Sequence, residues 1–212
     1  AGPGSFTGLR IAAGVTQGLA LALGKPVISI STLAAIAAGI TLRRGGGLSA
    51  EGRAASRTAE LAVDEPLSEA MAILPDWVIT TNDLLVMPLL DARMGEVYVG
   101  QYRLSGSDQV AMTEDRLLPP ELVPVPSGSE PLLLIGSGLV YRERLPAALL
   151  KRAVWFAPMG YPQAAAVAEL AQVSFRNGLL LRPEEAQPVY LRDEVAWQKS
   201  SPLSRQRDEK SL

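Results

Sequence analysis

Residues 6–24, "FTGLRIAAGVTQGLALALG", place the tightest condition on how this chain can fold. Ser5 or Thr7 can cap a helix here, and Gly24 followed by Pro26 ends it. Gly14, Gly18 and Ala22 recur every four residues and make one smooth stripe along the helix. Ile11, Val15 and Leu19 run beside that stripe. Leu9, Ala13, Ala20 and Leu23 lie elsewhere around the cylinder, and only Arg10, Thr16 and Gln17 interrupt it with polar groups. A helix apolar nearly all round must be covered on most sides. Two arrangements satisfy this. Either the helix lies in a core between a sheet and a neighbour, or it sets one face on its own sheet and the other on a partner subunit. In a lone subunit the second arrangement leaves an exposed apolar patch.

With 212 residues, 48% hydrophobic and 20% charged, the chain can bury one large core or two small lobes. A net charge of -2 gives no general attraction to polyanions. Cysteine and histidine are both absent. Disulfides, thiolate nucleophiles and cysteine-based zinc sites are thereby excluded, and so are the commonest general base and metal ligand. Catalysis would rest on carboxylates, Lys, Ser, Thr or Tyr. A reducing, cytoplasmic location fits the missing cysteines. No stretch reads as a membrane span, because Ile11 to Leu23 holds Thr16, Gln17 and two glycines where about 20 mostly apolar residues are needed. The start has no basic region of a secretory signal. A glycine-rich turn entering a helix normally follows a strand, so upstream sequence is expected to be missing. Residues 1–50 carry Arg10, Lys25, Arg43 and Arg44 with no acid. That bias is too mild for direct nucleic-acid binding by this chain alone.

Further along, Val27–Ile30 reads as a short strand, and Ser31 or Thr32 caps a helix to about Ala38. Residues 43–58 have no usable periodicity and read as a flexible insertion, with order returning by Trp77. "LLVMPLLDARMGEVYVGQYRL" suggests two strands around a turn at Arg93–Gly95. Pro88, which cannot donate to a ladder, points to an edge or a bulge. "PLLLIGSG" is a buried strand entering a glycine turn. A helix from about Leu139 and a strand at Ala153–Phe156 follow. Pro162 suits the first turn of a helix with Val167, Leu170, Ala171 and Phe175 on its apolar face. "PVYLR" is a last extended piece before a polar tail. Alternating strands and helices give an α/β class.

The opening "AGPGSFTG" fails both phosphate-loop patterns. The P-loop spacing meets Thr7 or Leu9 where its second glycine belongs, and Thr7 also breaks the dinucleotide fingerprint. A capped tight turn is the simpler reading, although a helix N-terminus also attracts anions. Gly2, Gly4 and Ser5, with Gly136, Ser137 and Gly138 of "IGSG", are the candidates for vestigial nucleotide or anion contacts. Ser137 as a nucleophile lacks a histidine base. Asp91 and Glu96 form a candidate acid/base pair, against the simpler reading that Arg93 pairs with one of them in a structural turn.

"GPGSFTGLRIAAGVTQGLALALGKPVISISTLAAIA" closely resembles the signature region of the TsaB (YeaZ) family. "LLDARMGEVY" and "QPVYLRDEVAW" resemble further family segments in the same order. The resemblance covers residues 1–40 and roughly 84–198. It implies an actin-like ATPase (ASKHA, ribonuclease H-like) two-lobed α/β fold with its first strands missing. The layout it implies is a remnant of the N-terminal lobe with an interface helix at 1–42 and an inserted connector at 43–83. The C-terminal lobe takes 84–182, and an extended segment with a disordered tail takes 183–212.

The implied function is that of a non-catalytic subunit that dimerises with TsaD in forming N6-threonylcarbamoyladenosine at position 37 of tRNA. The TsaE ATPase docks on that pair, and a homodimer is the other pairing. Phe6, Arg10, Ile11, Gly14, Val15, Gly18 and Ala22 then fall on the interface. No catalytic residue, metal or cofactor is expected in the chain itself, with ATP confined to a partner or a complex interface. The alternative is a nucleotide-binding or hydrolytic enzyme of the same fold, ATPase or glycoprotease-like.

Overall fold

The computed structural model describes residues 1–44, 78, 81–106, 108–157 and 160–192. The 43–58 insertion beyond residue 44, Trp77 and the tail past Arg192 lie outside the described residues.

The sheet is built on β1 (Asp83–Arg93), which is central. β2 (Glu96–Val99) and β3 (Tyr102–Ser105) run antiparallel along one side of it. Beyond them lie β4 (Asp108–Ala111) on β3 and β5 (Arg116–Leu118) on β2. On the other side, β6 (Leu132–Ile135) pairs parallel with β1, and β7 (Ala153–Ala157) pairs parallel with β6. If β2–β3 and β4–β5 are each taken as one interrupted strand, the order is 3-2-1-4-5 with the second strand antiparallel. This is the ribonuclease H-like arrangement that the family resemblance implies.

Both faces of the sheet are covered, which is why β1 and β6 read as unbroken apolar runs. Leu84, Val86, Tyr102, Leu104, Leu133 and Ile135 face a core completed by Leu33, Ile36 and Ile40 of α2 (Thr32–Arg44). Leu85, Met87, Leu89, Val97, Val99, Leu132 and Leu134 face the other core, under Leu139, Leu145 and Leu149. Leu149 belongs to α3 (Ala147–Arg152).

Several expectations are corrected. Pro88 stands in the central strand, not at an edge, and the register shift of that strand falls between Asp91 and Arg93, not at the proline. The partner strand breaks opposite it, between β2 and β3, so the proline's missing N–H falls where the ladder is interrupted, and Gly100 N–H donates to the Pro88 carbonyl at 3.3 Å. Val27–Ile30 does not form a strand, because Val27 makes only a single bridge to Leu181 and no ladder extends from it. The helix beginning at Thr32 runs on to Arg44, beyond Ala38. In place of an α-helix from Leu139, Gly136 (φ 117°) turns the chain into a 3-10 segment, Ser137–Arg144, kinked at Tyr141. The later helix, α4 (Ala164–Arg176), begins after Pro162 and packs on α2. It buries Ala166 and leaves Val167 and Phe175 exposed, so its inward face is rotated from the one expected.

Candidate functional site

The first helix, α1 (Phe6–Leu23), forms as its sequence dictates. Ser5 Oγ accepts the Gly8 N–H at 3.2 Å, and Gly24 ends the helix in the left-handed conformation (φ 58°). What differs from an ordinary surface helix is its covering. Among its residues only Ala20 is buried, while Ile11, Val15 and Leu19 are 62%, 58% and 60% exposed. A Cβ added at Gly14 or Gly18 would meet nothing within 4 Å. The small-residue stripe and the aliphatic row beside it therefore form an open apolar face. By length and composition α1 is also the described helix that passes the test for a membrane span, with mean hydropathy 1.3. Its two long polar side chains, however, tie it to the folded body.

Those ties run to a strap, residues 186–192, which lies antiparallel along α1 after the 3-10 turn Pro183–Glu185. Gln17 Nε2 donates to the Ala186 carbonyl at 3.1 Å, and Arg10 Nε donates to Tyr190 Oη at 3.1 Å. The Arg10 guanidinium lies 3.7 Å above the Phe6 ring centroid, and the Phe6 and Tyr190 rings sit 5.8 Å apart. Arg10 and Gln17 are seven residues apart, hence on one side of the helix. In the sequence Gln17 stands out only as a polar break in the helix, and nothing there connects it or Arg10 to Tyr190. At its far end the strap carries Arg192, which pairs with Glu96 at 2.7 Å and donates to the Ala92 carbonyl at 3.1 Å. The segments "GPGSFTGLR", "DARMGEVY" and "QPVYLR" thus meet through one extended piece of chain.

Asp91 and Glu96 are not set up as an acid/base pair. Asp91 accepts from the Arg93 N–H at 2.8 Å and Tyr141 Oη at 3.1 Å, and pairs with the Arg93 guanidinium at 3.3 Å. Glu96 is held by Arg192. The structural reading of the turn is the one observed.

The vestigial-contact candidates fall in two places. Gly2 and Gly4 lie against the Leu9 side chain, with Gly2 also against the Val189 carbonyl, and Ser5 is the α1 cap. Gly136 and Gly138 lie against the Leu89 backbone: a Cβ on Gly136 would fall 2.3 Å from the Leu89 carbonyl oxygen, and one on Gly138 2.9 Å from the Leu89 carbonyl carbon. Ser137 Oγ accepts the Asp91 N–H at 3.1 Å. Close strand–turn contact is thus a sufficient reason for the glycines of "IGSG". Among the described residues no group of three metal-ligating side chains is placed to hold an ion.

A second polar cluster escaped the sequence reading. Asp115 accepts from Ser31 Oγ at 2.5 Å and from Tyr102 Oη at 2.6 Å, while Ser31 Oγ accepts the Leu33 and Ala34 N–H groups. The cluster ties the start of α2 to the sheet. Burial, then the bond to Asp115, pushes the Tyr102 phenol well above its ordinary value.

Over 213 aligned residues the chain is 30% identical to the tRNA threonylcarbamoyladenosine biosynthesis protein TsaB of Escherichia coli (strain K12), covering 93% of this chain and 71% of that protein. The chain belongs to the TsaB family. The TsaB protein of Haemophilus influenzae is 28% identical over 199 residues, covering 93% and 70% of the two chains. Among solved structures, YeaZ from Pseudomonas aeruginosa superposes with a TM-score of 0.65 at 33% identity, over 89% of this chain and 71% of that one. The profile of the TsaD family, described as tRNA N6-adenosine threonylcarbamoyltransferase, also matches residues 1–55, which contain α1 and α2. The segment that matches the TsaD family is thus the one that carries the open helix.

Proposed function

We propose that this chain is the non-catalytic partner subunit in formation of N6-threonylcarbamoyladenosine at position 37 of tRNA, pairing with TsaD through α1. The observation that carries this reading is the open face of α1, where Gly14 and Gly18 have no neighbour and Ile11, Val15 and Leu19 are exposed. A helix of about 27 Å with such a face is what a second helix needs for close backbone approach. The absence of histidine from the 212 residues supports a scaffold in place of a metal-dependent transferase. In this reading Phe6, Arg10, Ile11, Gly14, Val15, Gly18 and Ala22 line the contact, TsaE docks on the pair, tRNA is reached through the complex, and the assembly is cytoplasmic. Any ATP belongs to a partner or a shared interface.

The test is co-elution with purified TsaD. Leucine at Gly14 or Gly18 has room in the free chain, so Gly14→Leu and Gly18→Leu should fold normally. Overpacking of the contact costs about 1–3 kcal/mol, enough to weaken association roughly 5- to 150-fold. Undiminished co-elution of both variants would remove α1 from the interface. Heat released on titrating the chain alone with ATP and magnesium would favour an enzyme instead.

A further inference from the structure

Arg10 is the only charged residue of α1. Its guanidinium is fixed on three sides by its own chain: the Phe6 ring below at 3.7 Å, the Tyr190 ring at 5.9 Å, and Tyr190 Oη accepting from Nε. Stacking on aromatic faces suits the weakly hydrated guanidinium and sets its orientation. Yet among the described residues Arg10 forms no ion pair, and its two terminal nitrogens have no acceptor. The two carboxylates just before the strap are already taken, Glu184 and Glu185 by Arg182 at 3.2 and 2.6 Å. The strap that carries Tyr190 is itself anchored on either side of it, by Val189 N–H on the Ala1 carbonyl at 2.9 Å and by Arg192 on Glu96. Among the described residues, the chain thus orients a cation that it does not neutralise. That cation stands at the N-terminal end of an otherwise apolar face.

We infer that Arg10 is the polar recognition point of the partner face, and that the occupant is an apolar helix of the partner subunit carrying a carboxylate that pairs with the free edge of the Arg10 guanidinium. Phe6 and Tyr190 are positioning residues for it. The inference rests on the reading of α1 as a partner surface and adds the chemistry that selects the partner and sets its register. A carboxylate on a preoriented guanidinium forms two parallel charge-assisted bonds, whereas a misplaced apolar helix would leave the cation covered and unpaired, which is costly.

The experiment measures the affinity of the full chain for purified TsaD across a salt series. Arg10→Met should weaken binding about 10-fold or more and flatten the salt dependence. Arg10→Lys should bind with intermediate affinity and keep the salt dependence, since the charge stays and the fork is lost. Tyr190→Phe, which keeps the ring and loses the hydroxyl, should weaken binding less than Arg10→Met. Thermal midpoints of the free variants, measured beside the parent, separate recognition from folding, because the loss of affinity for TsaD should exceed any loss of stability in the free chain. If Arg10→Met binds like the parent at every salt concentration while Gly14→Leu does not, the inference falls and the partner face stands. If the parent chain itself does not associate with TsaD, the partner-face reading falls and takes the inference with it.

Discussion

Arg192 and Glu96 meet guanidinium to carboxylate at 2.7 Å, and the same guanidinium reaches the Ala92 carbonyl. The pair joins a strap near the C-terminal end of the described chain to the β1–β2 hairpin, whose tip holds Arg93 and Met94 at positive φ (64° and 56°). Left-handed backbone at two side-chain-bearing residues is unfavourable by roughly 1–2 kcal/mol each, and bonds to the hairpin carbonyls offset part of that.

Arg192→Met is therefore expected to lower stability by about 1.5–3 kcal/mol, the range for hydrogen bonds to charged groups. Arg192→Lys should recover only part of it, because an ammonium cannot fork across a carboxylate and a carbonyl. Urea unfolding midpoints of the three chains measure this. Equal midpoints would mean that the strap is held by its other contacts.

Two kinds of glycine should respond oppositely to alanine. Gly14→Ala and Gly18→Ala place a methyl in open space within a helix, and should each stabilise the free chain by about 0.5–1 kcal/mol. Gly136→Ala drives a methyl into the Leu89 carbonyl at φ 117°, and should destabilise by about 3 kcal/mol or prevent folding. Thermal denaturation distinguishes the two classes directly.

Tyr102 gives a pH dependence with a definite sign. Its phenol is raised above the ordinary value of 10.0 by burial first and then by the bond to Asp115. Below pH 10 it is protonated in both the folded and unfolded chains and adds no slope. Above pH 10 the unfolded chain loses this proton and the folded chain keeps it, so stability falls by about 1.4 kcal/mol per pH unit. The difference between parent and Tyr102→Phe, followed from pH 8 to 11, isolates the effect. Parallel curves above pH 10 would exclude it.

Ser31→Ala removes the cap of α2 and one of the two hydroxyl donors to Asp115. A loss of about 1–2 kcal/mol is expected, as for other caps. Hydrogen exchange should rise first at the Leu33 and Ala34 amides, the two that Ser31 Oγ accepts.

Much of the architecture was legible in the sequence because its signals are local. Ser5 and Gly24 bound α1, the turn at Arg93–Gly95 sets the hairpin, and unbroken apolar runs announce strands covered on both faces. The misreadings share a cause. Pro88 pointed to an edge because its own requirement is visible, whereas the break that satisfies it lies twelve residues later at Gly100. Val27–Ile30 has strand composition, but ladders need a neighbour and composition does not supply one. At the candidate site the apolar face of α1 was readable from its spacing. The strap was not, since an extended segment has no periodicity, and Tyr190 and Arg192 acquire their roles only through contacts about 180 and 100 residues away in sequence.

The interruption opposite Pro88 has one more consequence. Leu89 faces Val99 and Val86 faces Tyr102, so the count of residues through Gly100 and Gln101 matches that through Met87 and Pro88. One extra residue there would send Tyr102 and Leu104 to the wrong side of the sheet while Val97 and Val99 stayed in place. Chain length at this point is thus as constrained as side-chain identity, and natural insertions should be found in the surrounding loops and not here.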